Sequence, residues 1–92
     1  MKVSGYLSKK KSNGNTYIYL RRSYRENNKV KHEYIFSFGT TSNALEKMYW
    51  YRDHPEQFPK QLKDRGYGLG DLYDWIMTME TKVTSTGKKF EY

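Results

Sequence analysis

The stretch Tyr17–Thr41, "YIYLRRSYRENNKVKHEYIFSFGTT", interleaves aromatic rings with cations at strand-like spacing, and its reading decides the fold. A solvated loop has no use for so many aromatics, and a strand buried on both faces has no place for arginines. A sheet with one packed face and one open face accommodates both. Thr16–Arg25 is rich in β-branched and aromatic types, "ENNK" (Glu26–Lys29) is a turn, and Val30–Phe38 returns to strand composition. Upstream, Val3–Lys10 reads as a shorter strand. "SNGN" (Ser12–Asn15) is a turn, since Asn-Gly supplies positive φ cheaply. The expectation is a three-stranded antiparallel meander.

Register decides what each face carries. In the second strand alternation separates Ile18, Leu20 and Tyr24 from Tyr17, Tyr19, Arg21, Ser23 and Arg25. In the third it separates Tyr34, Phe36 and Phe38 from Lys31, Glu33, Ile35 and Ser37. A slip of one residue inverts either set. A three-residue loop or bulge at Asn27–Lys29 gathers Ile18, Leu20, Phe36 and Phe38 as core, with Tyr17, Tyr19, Arg21, Arg25 and Lys31 on the outer face. A two- or four-residue loop mixes the sets. The first arrangement is preferred because it segregates charge from apolar groups.

After Gly39 the period becomes helical. Thr40, Thr41 or Ser42 can cap a helix whose apolar positions are Ala44, Leu45, Met48 and Tyr51, ended by Pro55. "PEQFPKQLKDRG" holds a short helical turn, with Pro59 at its first position and Gly66 beyond its end. Leu69, Leu72, Ile76, Met79 and Val83 then form one apolar stripe, with Asp71 and Asp74 near its start. The fold class expected is α+β: the meander, a helix packed on one face, and a C-terminal helical extension. Residues 1–92 read as one domain, with a β-β-β-α unit over 1–54, the extension over 55–84 and a flexible tail over 85–92.

Charge is unevenly placed. Residues 1–40 carry nine Lys/Arg against Glu26 and Glu33, whereas residues 41–92 carry eight of each sign. An excess confined to one half is the footprint of a surface that meets a polyanion. Mean hydropathy is low at −1.05, but ten Tyr, four Phe and two Trp argue for a packed core. The chain has no cysteine, which excludes disulfides and thiolate metal sites. It also lacks an apolar run of membrane-spanning length, so no membrane association is expected and a bacterial or phage-infected cytoplasm is the expected location.

Catalytic constellations are weak. His32 and His54 are isolated from each other and from any ligand spacing. The glycines of "GYGLGD" (Gly66–Asp71) precede a helix without the strand and Gly-Lys-Ser/Thr of a phosphate loop. No enzyme activity, metal or cofactor is expected. The aromatic and cationic face is of a different kind: arginine forks bond phosphates or guanine edges, and tyrosine hydroxyls reach phosphate oxygens.

Lys9–Met48 resembles the N-terminal arm-type DNA-binding domain of mobile-element tyrosine recombinases, a three-strand, one-helix fold similar to the plant ethylene-response-factor domain. The family's F-x-T-x-x-x-A is matched by Phe38, Thr40 and Ala44, and its basic turn by Asn28, Lys29 and Lys31. The stretch also resembles the opening of some insertion-sequence transposases, in which YxYLxxSYRxxxKV recurs, here Tyr17, Tyr19, Leu20, Ser23, Tyr24, Arg25, Lys29 and Val30. The resemblance implies DNA contact through Tyr17, Tyr19, Arg21, Arg25 and Lys31, with the loop lysines, Lys9, Lys10, Lys11 and Lys29, at phosphates. With no catalytic domain following in the sequence, it implies a binding module rather than a recombinase.

The expected function is therefore non-enzymatic binding of nucleic acid, duplex DNA ahead of single strands or RNA, by a phage or mobile-element protein. One alternative is an inhibitor that docks on a host or defence enzyme through Tyr49, Trp50 and Arg52, since interface hot spots favour such residues. The other is an oligomerisation module using the Leu69–Val83 stripe. Packing of that stripe within the chain, and hence a monomer, is preferred over a dimer because so small a core needs it.

Overall fold

The computed structural model describes residues 5–84 and 87–90. Strands β1 (Tyr6–Ser12), β2 (Asn15–Glu26) and β3 (Lys29–Thr40) pair antiparallel in the order β1-β2-β3. The expected start of β1 at Val3 lies outside the described residues. Both turns have two residues, since Ser12 pairs with Asn15 and Glu26 with Lys29. Asn13, Gly14, Asn27 and Asn28 all have positive φ, at 50°, 81°, 52° and 64°. That geometry matches the twist of the flanking strands, and Asn and Gly tolerate it best.

The two-residue turn at Asn27-Asn28 corrects the expected three-residue loop or bulge at Asn27–Lys29. The slip occurs further along β3, in two steps. Arg21 pairs with Tyr34 but Leu20 with Phe36, which leaves Ile35 as an extra residue. Tyr19 pairs with Ser37 but Ile18 with Gly39, which leaves Phe38 as a second. Bulges of this kind bend the strand and re-aim side chains. Strict alternation delivers every other residue to the core, whereas here Ile35 (7% exposed) and Phe38 (0%) are buried and Phe36 packs against them. The expected core of Ile18, Leu20, Phe36 and Phe38 thus forms, with Ile35 added. Tyr34, grouped with the apolar set by alternation, is instead 51% exposed.

Gly39, at φ +94°, turns the chain out of β3 in a conformation that disfavours any side chain. Helix α1 (Thr41–Asp53) follows with Thr40 at the N-cap position. Its Ala44 and Met48 are fully buried, and Leu45, Tyr49 and Tyr51 pack at the core's margin. Pro55 opens a 3₁₀ turn, Pro55–Gln57, that ends α1. Pro59 precedes the single-turn helix α2 (Lys60–Lys63) instead of opening it.

Helix α3 (Leu69–Thr81) begins where the Asp71 carboxylate accepts the Gly68 N–H at 3.0 Å. Leu72, Ile76 and Met79 are buried within the chain, so the stripe serves its own core. Trp75, which the stripe omitted, is buried too and is the hub of the core. Its ring lies 5.6 Å from Phe38, 5.6 Å from Tyr67 and 6.4 Å from Phe58. Val83 lies beyond the helix, 42% exposed and bridged to Lys89. Within the stretch 85–92, expected as a flexible tail, the described residues 87–90 lie against the fold: the Phe90 N–H donates to Lys82 O at 2.7 Å, and its ring is 6% exposed in the core. The helices cover one sheet face. No described helix is long and apolar enough to cross a membrane.

Candidate nucleic-acid interface

Cross-strand partners lie on the same side of a sheet, so the register also decides what the uncovered face carries. Its spine is Tyr17, Tyr19, Arg21, Ser23 and Arg25 of β2. β1 adds Tyr6, Ser8 and Lys10, and β3 adds Val30, His32, Tyr34 and Ser37. None of these is a carboxylate. Glu26 and Glu33, the acids of the N-terminal half, lie on the opposite side of the sheet. There Glu33 accepts Arg22 Nε at 2.8 Å and Glu26 accepts Lys31 Nζ at 3.4 Å. The fold therefore sorts the acids: both lie on the side that carries Lys9, Lys11, Arg22, Lys29 and Lys31, whereas the other side presents Lys10, Arg21 and Arg25 with no carboxylate beside them.

The open face is internally braced. Tyr19 and Tyr34 rings pack at 4.8 Å, and the Arg21 guanidinium lies 5.7 Å from the Tyr34 centroid. Arg21 Nε is buried and has no acceptor among the described residues. The rings thus hold the arginine stem and fix where its charge is presented. Ser23 Oγ lies 3.1 Å from Tyr6 Oη and 2.9 Å from His32 Nδ1, so one polar chain crosses all three strands. Lys10 and Arg25 are exposed.

Five of the residues expected at a nucleic-acid surface come together here: Lys10, Tyr17, Tyr19, Arg21 and Arg25. Lys31 does not. It pairs with Tyr24 on the other side, because the two-residue turn fixes parity before the bulges intervene. Lys9 and Lys11 pair with Ile18 and Thr16 on the helix side, and Lys9 Nζ lies 5.9 Å over the Phe90 ring. Lys29 sits at the hairpin end opposite Glu26.

Sequence reasoning missed Tyr6, His32 and Tyr34 on this face. The turn lengths carried that information: with two-residue turns, Tyr6 and Tyr34 fall opposite Arg21 and His32 opposite Ser23.

Tyr49, Trp50 and Arg52 lie apart, on the helical layer. Tyr49 Oη donates to Glu80 Oε2 at 2.7 Å, and the Arg52 guanidinium lies 4.7 Å over the Tyr49 ring. Trp50, 47% exposed, stacks on His54 at 4.7 Å. Burial raises the Tyr51 hydroxyl pKa above its ordinary 10.0. Among the described residues no three His, Cys, Asp or Glu side chains are grouped to hold a metal ion.

Sheet, bulges and helical layer together define a small basic α+β domain with one packed sheet face and one that is open and acid-free among the described residues. The profile of the IS1634 family transposase N-terminal domain matches residues 7–66, and the chain belongs to that family. The match spans the sheet, α1 and α2 and stops before α3. It bears out the insertion-sequence side of the sequence resemblance, and the domain is of mobile-element kind. The comparisons do not show an arm-type integrase identity. No curated protein and no solved structure matches the chain significantly.

Proposed function

We propose that this domain binds duplex DNA through the open sheet face, as a binding rather than a catalytic part of a mobile element's machinery. The observation that carries the reading is the acid-free face itself, with Lys10, Arg21 and Arg25 among tyrosines and both nearby acids on the far side. Membership of a transposase family supports it, since transposition requires a protein to hold duplex DNA. Cations and tyrosine hydroxyls on one face suit phosphate oxygens.

The test compares two double variants by fluorescence anisotropy with a duplex over a salt series. Lys10→Ala with Arg25→Ala removes two exposed cations from the face. Lys60→Ala with Lys63→Ala removes two exposed cations from α2. Each lost phosphate contact reduces the log–log salt slope by about 0.9. The face variant is expected to lose one to two such units and the α2 variant none. Equal behaviour of the two variants would remove the assignment of this face.

A further inference from the structure

Among the described residues, β1 pairs with β2 no further than Arg21. Beyond it, among the described residues, β2 and β3 alone continue, as a two-stranded ribbon; Gly5 is already outside β1, and every residue from Arg25 to His32 is exposed. Val30, its apolar member, is 58% exposed. Cross-strand polar pairs hold the ribbon instead of a core: Arg22 Nε to Glu33 at 2.8 Å, Ser23 Oγ to His32 Nδ1 at 2.9 Å and Lys31 Nζ to Glu26 at 3.4 Å. Four residues of strand from the Ser23–His32 pair to the turn give a reach of about 13 Å.

A major groove is about 12 Å wide and 8.5 Å deep and admits a two-stranded ribbon. The helix-backed part is three strands wide, about 10 Å between its outer backbones before side chains are added. The ribbon is the narrower probe.

The outward arginines of β2, one at the ribbon's base and one within it, differ in freedom. Arg21 is packed over Tyr34 at 5.7 Å with Nε buried. Arg25 is exposed, faces Val30 across the pair, and has neither ion pair nor ring partner among the described residues. A free guanidinium fork matches the O6 and N7 acceptors of guanine, and an adjacent apolar group suits a thymine methyl.

We infer that the ribbon Arg22–Glu33 is the groove-entering element and that Arg25 reads base edges, while Arg21 holds the backbone register. This deepens the duplex-DNA reading and rests on it.

Selection from a pool of duplexes with a randomised 20-base-pair core, sequenced after capture by the intact chain, tests the division of labour. The wild type is expected to enrich a motif containing guanine. Arg25→Ala is expected to relax one base pair of that motif by roughly 5- to 150-fold. Arg25→Lys keeps the charge but lacks the fork, and is expected to lose the same preference with the salt slope retained. Arg21→Ala is expected to weaken capture of all sequences alike. An unchanged motif in Arg25→Ala, or a wild type that captures duplexes without preference, would overturn the base-reading role and leave duplex binding standing. A wild type that captures no duplex at low salt would overturn both.

Discussion

Replacing Phe38 by Ala probes the register on which the open face depends. Phe38 is an extra residue in β3, fully buried, with its ring 4.9 Å from Phe36 and 5.6 Å from Trp75. Truncating a buried Phe to Ala costs about 3–5 kcal/mol, more when neighbours cannot collapse into the space. Phe36 is tied to strand pairing with Leu20, and Trp75 is held among Tyr67 and Phe58, so neither is free to fill it. A cost near 4 kcal/mol compares with about 5–10 kcal/mol for a whole domain of this size. At about 4–8 °C per kcal/mol, the melting temperature is expected to fall by roughly 15–30 °C.

Urea denaturation followed by far-ultraviolet circular dichroism, with Phe36→Ala in parallel, gives the comparison. Phe36 is only partly buried, and its truncation is expected to cost about half as much. A loss below about 1 kcal/mol for Phe38→Ala, or a larger loss for Phe36→Ala, would refute the bulge that turns Phe38 inward. The placement of Ser37 opposite Tyr19, and of Thr40 opposite Tyr17, would then need revision.

Two further perturbations test other parts of the account. Phe90→Ala is expected to cost about 3 kcal/mol, because the ring is 6% exposed in the core; a change near zero in the urea midpoint would detach residues 87–90 from the fold. Burial raises the Tyr51 hydroxyl above its ordinary 10.0, so the folded chain keeps a proton that the unfolded chain loses. That stability is fully present below about pH 10 and is lost as pH rises through the raised value. Tyr51→Phe is therefore expected to flatten the alkaline fall of the urea midpoint, and an identical fall in both proteins would contradict the burial.

Composition and local pattern carried much of the fold. Asn13-Gly14 marked the first hairpin, Pro55 ended α1, and the spacing of Leu72, Ile76 and Met79 placed α3. Register was harder to read. Two bulges at Ile35 and Phe38 change the side-chain period within a single strand, and no pairwise alternation of residue types announces them. The consequence reached the candidate site. Tyr34 moved from core to surface and Lys31 left the outer face, whereas Tyr17, Tyr19, Arg21 and Arg25 kept their places because all lie on one strand. Trp75, three residues after Leu72 and four before Met79, sits at helical spacing and was legible as a member of the apolar stripe; it links α3 to the sheet through Phe38. Phe90 gave no periodic signal at all, since Tyr92 is the only other large apolar residue of its polar segment.

The reading of the open face as a DNA surface is tested most directly by binding of the intact chain to a labelled duplex, followed by anisotropy as salt is raised. The face offers Lys10, Arg21 and Arg25, so two to three phosphate contacts give a log–log slope of about −2 to −3. That slope, with duplex preferred over single-stranded DNA and RNA, is the predicted result. No duplex binding at the lowest salt would contradict the account and leave the acid-free face to a different partner.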